Sequence, residues 1–279
     1  MAKLTSYQNK TALVTGASSG MGRLLALRFA TAGARVALVA RRDAELAQLA
    51  REIEQAGGTA LVLPCDVADR TQVFAAAEKA QQAFGAIDIL VNNAGYGHHR
   101  RFLDWDLDDM ERMMRVNFFG TLYWTKALLP QMVARRSGWI VFVASVAGRL
   151  GVPEESAYAA SKFAQVGLAE ALSIEVEDAG VHVLTVCPGA INTPFFDAEA
   201  LERMPPVSKR MMIQPEQVID ATIDALARGK HEITVPRFIA MGYLARVLAP
   251  EFMRRNTKRT TIDAVAKLRV TTRASGNKT

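Results

Sequence analysis

Ala12-Leu13-Val14-Thr15-Gly16-Ala17-Ser18-Ser19-Gly20-Met21-Gly22 passes from a short apolar stretch of strand character into a glycine-rich turn, and a helical pattern follows over residues 20–32. Glycines between a strand and a helix let the backbone turn tightly and approach a pyrophosphate. Its charge then lies at the helix N-terminus, among N–H groups that have no partner within the helix. Gly16, Ser18, Ser19, Gly20, Met21 and Gly22 are therefore candidate nucleotide-binding residues. A lone glycine turn is weak evidence, but here both flanks have the required character.

Outward from this turn, strand-like runs recur at 12–15, 36–40, 60–63, 87–91, 139–143 and 181–186. Helical patterns fit between them at 20–32, 43–56, 69–84, 108–135 with a break, and 156–179. This alternation predicts βαβ units and an α/β fold on a parallel sheet. Gly33, Gly57-Gly58 and Gly180 fall where helices should stop. Residues 188–230 carry five prolines among Phe195, Phe196, Met204, Met211 and Met212, and predict a mobile apolar flap rather than another βα unit. A last strand is expected at 231–235. Beyond it, Met241, Leu244 and Leu248 follow helical spacing with Arg246 opposite, until Pro250 interrupts. The expected organisation is one domain over 1–235 and an amphipathic, basic extension over 236–279.

The spacing Ser145-x12-Tyr158-x3-Lys162 points to acid-base chemistry. Residues four apart share a helix face, so the Tyr158 hydroxyl and Lys162 ammonium should point into one space. A phenol with a reference pKa near ~10 is a poor catalyst at neutral pH, and a fixed positive charge beside it favours the phenolate.

Roughly 20 residues beyond the last glycine of the turn, an acidic group would bind the ribose of NAD. This chain has Arg41-Arg42 there, suited to the extra phosphate of NADP, although Asp43 follows immediately. NADP(H) is the expected cofactor, ahead of NAD(H). After the third strand, Asp66 and Val67 are placed to meet an adenine, or Asp66 to cap the next helix. After the fourth, Asn93, Ala94 and Gly95 lie at the sheet edge where ligands bind in open α/β folds.

The formal net charge is +6, and eight of the 34 Lys/Arg residues lie in 254–279 beside a single acidic residue. The ordinary reading of such a run is a solvated end, the alternative an acidic lipid or protein surface. Weak peripheral membrane contact through the C-terminal segment stands beside packing on its own domain or on a partner subunit. Nucleic-acid binding is not expected, since no aromatic-basic motif accompanies the charge. No metal site is expected: His98-His99 lacks companion ligands, and the two cysteines, Cys65 and Cys187, sit in strand-like runs. The opening residues lack a signal-peptide core and no run reaches the ~18 apolar residues of a membrane span, so a cytoplasmic protein is expected.

Taken together, Gly16-x3-Gly20-x-Gly22, Asp66-Val67, Asn92-Asn93-Ala94-Gly95, Asn117, Ser145, Tyr158-x3-Lys162 and Cys187-Pro188-Gly189 resemble the short-chain dehydrogenases/reductases in their common single-domain form. The resemblance spans nearly all of residues 10–195. It implies a seven-stranded, Rossmann-type doubly wound parallel sheet, a nicotinamide cofactor and a catalytic tetrad of Asn117, Ser145, Tyr158 and Lys162. Tyr158 would exchange a proton with the substrate oxygen, and Ser145 would hydrogen-bond that oxygen. Lys162 would hold the nicotinamide ribose and depress the Tyr158 pKa, positioned by Asn117 through backbone and water. Pro188, Gly189, Ile191 and Thr193 would complete the cofactor site, and pairing through the helices at 104–135 and 156–179 would give a homodimer or homotetramer.

The flap residues and Tyr96-Gly97-His98-His99 suggest a mainly apolar pocket, hence a lipid-like, steroid-like or aromatic carbonyl or alcohol as substrate. The competing expectation is a non-catalytic NADP(H)-sensing or scaffold protein of the same fold, using its basic tail to hold a partner.

Overall fold

The computed structural model describes residues 3–195 and 198–266, the side chains of 198–200 excepted. Phe196 and the last 13 residues of the basic tail lie outside it.

Seven parallel strands form one sheet: β1 Thr11–Thr15, β2 Arg35–Ala40, β3 Thr59–Pro64, β4 Ile89–Asn92, β5 Gly138–Val143, β6 Val181–Pro188 and β7 Glu232–Val235. Their order is β3-β2-β1-β4-β5-β6-β7, so the winding reverses between β1 and β4. Consecutive side chains on each strand face opposite sides. Ala12, Val14, Val36, Leu38, Ile89 and Val91 therefore pack into one apolar layer, while Leu13, Ala37, Val39, Leu90, Ile140 and Phe142 pack into the other. Burial on both faces explains why the strands read as near-continuous apolar runs.

Helices α1 Gly20–Thr31, α2 Asp43–Gln55 and α9 Pro215–Arg228 cover the first layer. The second is covered by α3 Arg70–Phe84, α5 Gly120–Arg135 and α6 Ser156–Glu175. The expected break in 108–135 is a π-helical turn, Arg115–Phe119, joining α4 Leu107–Met114 to α5 with helical backbone at both joints. The rod is continuous.

The flap expectation for 188–230 is corrected in its second half. Short helices α7 Ala198–Arg203 and α8 Pro206–Arg210 are followed by the 14-residue helix α9. Pro215 is its first residue, where a missing N–H costs nothing, Gln214 and Gln217 form a reciprocal cap, and Gly229 stops it at φ 68°. Val218, Ile219, Ala225 and Leu226 are buried by it. After β7 come α10 Ala240–Leu248 and α11 Pro250–Lys258, matching the expected amphipathic segment and its interruption at Pro250.

Candidate active site

Where the strand order reverses, the C-terminal ends of β1 and β4 separate and leave a crevice, the usual ligand position in doubly wound sheets. The glycine turn lies on one side. Gly16 has φ +69°, and a Cβ there would come 2.8 Å from Asn93 Nδ2 and 2.9 Å from Ala94 Cα. A Cβ on Gly22 would collide with the Gly16 carbonyl oxygen and come 2.5 Å from Asn93 Nδ2. Asn93 Nδ2 donates to the Thr15 carbonyl at 2.9 Å, while the N–H groups of Asn93 and Ala94 donate to Thr15 Oγ1 at 2.9 and 3.0 Å. Turn and strand end are thus one fixed cradle. Thr15 is its hinge pin, and nothing in the local sequence announces that.

A cavity of about 510 Å³ opens from this cradle. It is lined by Gly16, Ser18, Ser19, Gly20, Met21, Arg41, Arg42, Asp66, Val67, Asn93, Ala94 and Gly95, and further in by Ser145, Tyr158, Lys162, Pro188, Gly189, Ile191 and Thr193. Two expected residues stand behind it. Gly22 serves the packing of the turn, and fully buried Asn117 supports the wall.

Arg42 Nη2 donates to both Ser18 Oγ and Ser19 Oγ at 2.8 Å, holding its guanidinium at the glycine turn. Asp43 begins α2 and does not line the cavity. Capping of α3 falls to Asp69, whose Oδ1 accepts from Gln72 N at 3.1 Å, and not to Asp66. Asp66 accepts from Ala68 N–H and pairs with Arg112 on α4. Burial alone would raise the Asp66 pKa, but the Ala68 N–H and Arg112, with Arg41 adding charge, hold the carboxyl below its usual range.

Deeper in, Ser145 follows β5 and its Oγ accepts from Ala147 N–H at 3.1 Å. Tyr158, in the first turn of α6, is 9 % exposed and packs on Phe195 at 5.7 Å between ring centroids. Lys162 Nζ lies 5.8 Å from the Tyr158 ring centroid, so the two residues share one space as the four-residue spacing predicts. The expected depression of the Tyr158 pKa is not what this structure holds. Desolvation dominates and drives it above its ordinary value, while a hydrogen bond with Ser145 pulls the other way. The ammonium is engaged elsewhere: Lys162 Nζ donates to the Val143 carbonyl at 2.9 Å and to Gln165 Oε1 at 3.0 Å. Burial lowers the Lys162 pKa to about 8.

Asn117 sits in the π turn. Its Nδ2 donates to the Tyr96 carbonyl and to Ser161 Oγ, both at 2.9 Å, and its Oδ1 accepts from Tyr96 N–H at 3.0 Å. Its link to Lys162 starts at its main-chain carbonyl and continues through two side chains. Thr121 Oγ1 donates to the Asn117 carbonyl at 3.0 Å and accepts from Gln165 Nε2 at 2.8 Å, which leaves Gln165 Oε1 facing Lys162. Thr121 and Gln165 escaped the sequence reading. The available signal was a glutamine three residues after the lysine on an otherwise apolar helix face.

At the far end, Tyr96, Val152, Phe195 and Met204 line the cavity with His99 and Glu155. His99 Nε2 lies 2.8 Å from Glu155 Oε1, both nearly buried, so this end carries one polar pair within an apolar wall.

A profile of the short chain dehydrogenase family matches residues 10–203. The chain belongs to the short-chain dehydrogenases. It is 35 % identical over 253 residues to Dehydrogenase/reductase SDR family member 7B of Mus musculus, an alignment covering 87 % of this chain and 78 % of that one. A short chain dehydrogenase/reductase from Burkholderia phymatum, solved in complex with NAD, superposes with TM-score 0.80 at 27 % identity, over 89 % of this chain and 96 % of that one. A metagenomic short-chain oxidoreductase in complex with NADP superposes with TM-score 0.72 at 29 % identity, over 82 % and 97 %. Members of this family thus bind either nicotinamide cofactor, and the seven-stranded fold places this short-chain dehydrogenase beside both.

Proposed function

We propose that this chain is an NADP(H)-dependent oxidoreductase that interconverts a carbonyl and a secondary alcohol on an apolar substrate, with Tyr158 as the acid/base. The observation that carries the reading is the joint opening of Ser145, Tyr158 and Lys162 onto the cavity that begins at the glycine turn. The cradle fits a dinucleotide, because a Cβ on Gly16 or Gly22 would have no room and the turn ends at the N-terminus of α1. Arg42, anchored on Ser18 and Ser19, and Arg41 beside it offer two cations for a 2′-phosphate.

A nicotinamide cofactor held by the glycine turn, Arg41 and Arg42 would supply the hydride chemistry, giving a hydride to the substrate carbonyl carbon in reduction and accepting one in oxidation. Ser145 holds the substrate oxygen. As the carbon–oxygen π bond breaks, Tyr158 gives its proton to that oxygen, and in oxidation it takes the proton back. Burial keeps the phenol protonated, which suits the donating role. Lys162, titrating near 8, is able to reload it close to neutral pH. Such general acid catalysis contributes typically 10²–10⁴-fold. The wall of Tyr96, Val152, Phe195 and Met204 favours a hydrophobic substrate, with His99–Glu155 available to one polar group on it.

We further infer a catalytic domain over 1–235, extended by 236–279, that assembles as a dimer or tetramer through α5 and α6, where Ile174 is 75 % exposed. The free, buried cysteines Cys65 and Cys187 accord with a cytoplasmic setting.

The deciding experiment follows NADPH absorbance over a panel of hydrophobic ketones with the wild type and Tyr158→Phe. Turnover that needs the Tyr158 hydroxyl is expected; full activity in the variant would sink the mechanism.

A further inference from the structure

Helix α10 is built inside out. Its Arg246 points at the protein, lying 5.2 Å over the Phe163 ring and donating to the Arg149 carbonyl. Gly242 faces Leu150, and the Tyr243 hydroxyl accepts from Thr234 Oγ1 at 3.2 Å. Met241, Leu244, Val247 and Leu248 point the other way and are 62–76 % exposed, with exposed Phe238 and Phe252 at either end. A helix that packed its apolar face on its own domain would reverse this, so that explanation of the amphipathic segment fails.

Charge identifies what covers the face. The exposed side of α11 carries Arg254, Arg255 and Lys258, with Arg259 next in the chain. Glu251 is the one acidic residue on α11, and it pairs with Arg254 at 3.4 Å. A two-fold contact of this face with a second copy would bring two such cationic helices together, with little negative charge to offset them. An apolar stripe bordered by arginines and lysines instead matches an anionic membrane surface: side chains enter the acyl boundary while the cations meet headgroup phosphates. Among the described residues no helix is long and apolar enough to cross a membrane. Contact through this face is therefore a lying-on, not a spanning, arrangement.

We propose that α10 and α11 dock this protein onto anionic lipid bilayers. The segment following α11, Arg259–Asp263, packs on α8. Residue Ser208 of α8, with Met204 and Pro205 just before it, lines the cavity. Docking therefore brings this edge of the cavity close to the bilayer, a route for a hydrophobic substrate. That route rests on the proposed reaction, whereas the docking stands without it.

The test is sedimentation of the full-length protein with vesicles of phosphatidylcholine alone and with about one third phosphatidylglycerol. Binding at least tenfold stronger to the mixed vesicles at low salt, and lost at high salt, is expected. Leu244→Ser/Leu248→Ser and Arg254→Gln/Arg255→Gln should each weaken it about tenfold or more while the melting temperature stays unchanged, since all four side chains are already in solvent. Vesicle binding equal for both lipids, absent, or indifferent to both double variants overturns the proposal. So does sedimentation equilibrium in which the leucine variant splits a dimer, because the face would then belong to a second copy. Either result leaves the hydride-transfer reading intact.

Discussion

Gln165 Oε1 accepts a hydrogen bond from Lys162 Nζ at 3.0 Å, and the Gln165 amide cannot flip because Thr121 Oγ1, already donating to Asn117, only accepts from it. The charge of a buried lysine is thereby held by an oriented neutral dipole. An acceptor favours the charged form of its donor, so Gln165→Leu should push the Lys162 pKa further below about 8 and Gln165→Glu should raise it. Titration of the lysine side-chain NMR signals in the cofactor-free protein reads this directly. A merely structural glutamine would lower stability in both variants and leave the titration where it was.

Burial of Lys162 has a signature in stability. Its folded pKa of about 8 lies below the 10.5 of an exposed lysine. Between these values the unfolded chain binds more protons than the folded one, so this residue makes stability rise with pH across roughly 8 to 10.5, by ~3 kcal/mol in all. Lys162→Met should remove that rise. Denaturant melts at pH 7.5 and 9.5 on both proteins test it: the wild type should gain on the variant at the higher pH. Equal changes in the two would mean that the lysine is not desolvated.

Cofactor choice should depend on Arg42, whose guanidinium the serine hydroxyls hold in place. A charge-assisted contact of 1.5–3 kcal/mol corresponds to about a 10–100-fold change in affinity. Arg42→Ala should weaken NADPH by that order and NADH by less than about threefold, with Arg41→Ala acting in the same direction. Fluorescence titration of both cofactors gives the ratio, and equal losses for the two would remove the arginines from 2′-phosphate recognition.

Two glycine substitutions should separate sharply. Gly22→Ala puts a methyl into the Gly16 carbonyl and Asn93, and over-packing of this kind costs roughly 1–3 kcal/mol. Gly57→Ala meets no atom within 4 Å and carries only the strain of φ +82°, about 1 kcal/mol. Thermal melts should rank them in that order. Nucleotide binding should fall only in Gly22→Ala, because that glycine alone of the two shapes the cradle.

The sheet was legible because its strands are buried on both faces and read as short apolar runs, and the glycine turn because tight backbone approach leaves a composition mark. Tyr158 and Lys162 were legible from helical spacing. Arg112 on Asp66 was not, since 46 residues separate partners that only folding brings together. Helix α9 was obscured by the prolines around it, although Pro215 starts the helix and does not break it. The Tyr158 environment was misjudged for a different reason. Spacing gives direction but not depth, and in the folded protein desolvation raises the phenol's pKa while the Ser145 hydrogen bond, not the neighbouring ammonium, opposes it.

The π turn at Arg115–Phe119 makes the site depend on counting. A rod that contains one such turn holds a residue more than a regular α-helix reaching the same distance. Excision of one residue there would turn the segment into regular α-helix and leave the two halves in phase, yet redistribute the residues of the turn itself, Asn117 among them. Asn117, which faces Tyr96 and Ser161, and Thr121, which faces Gln165, would lose their common alignment. Chain length at this point is thus as much a determinant of the site as residue identity, and a one-residue deletion should silence it in a protein that still folds.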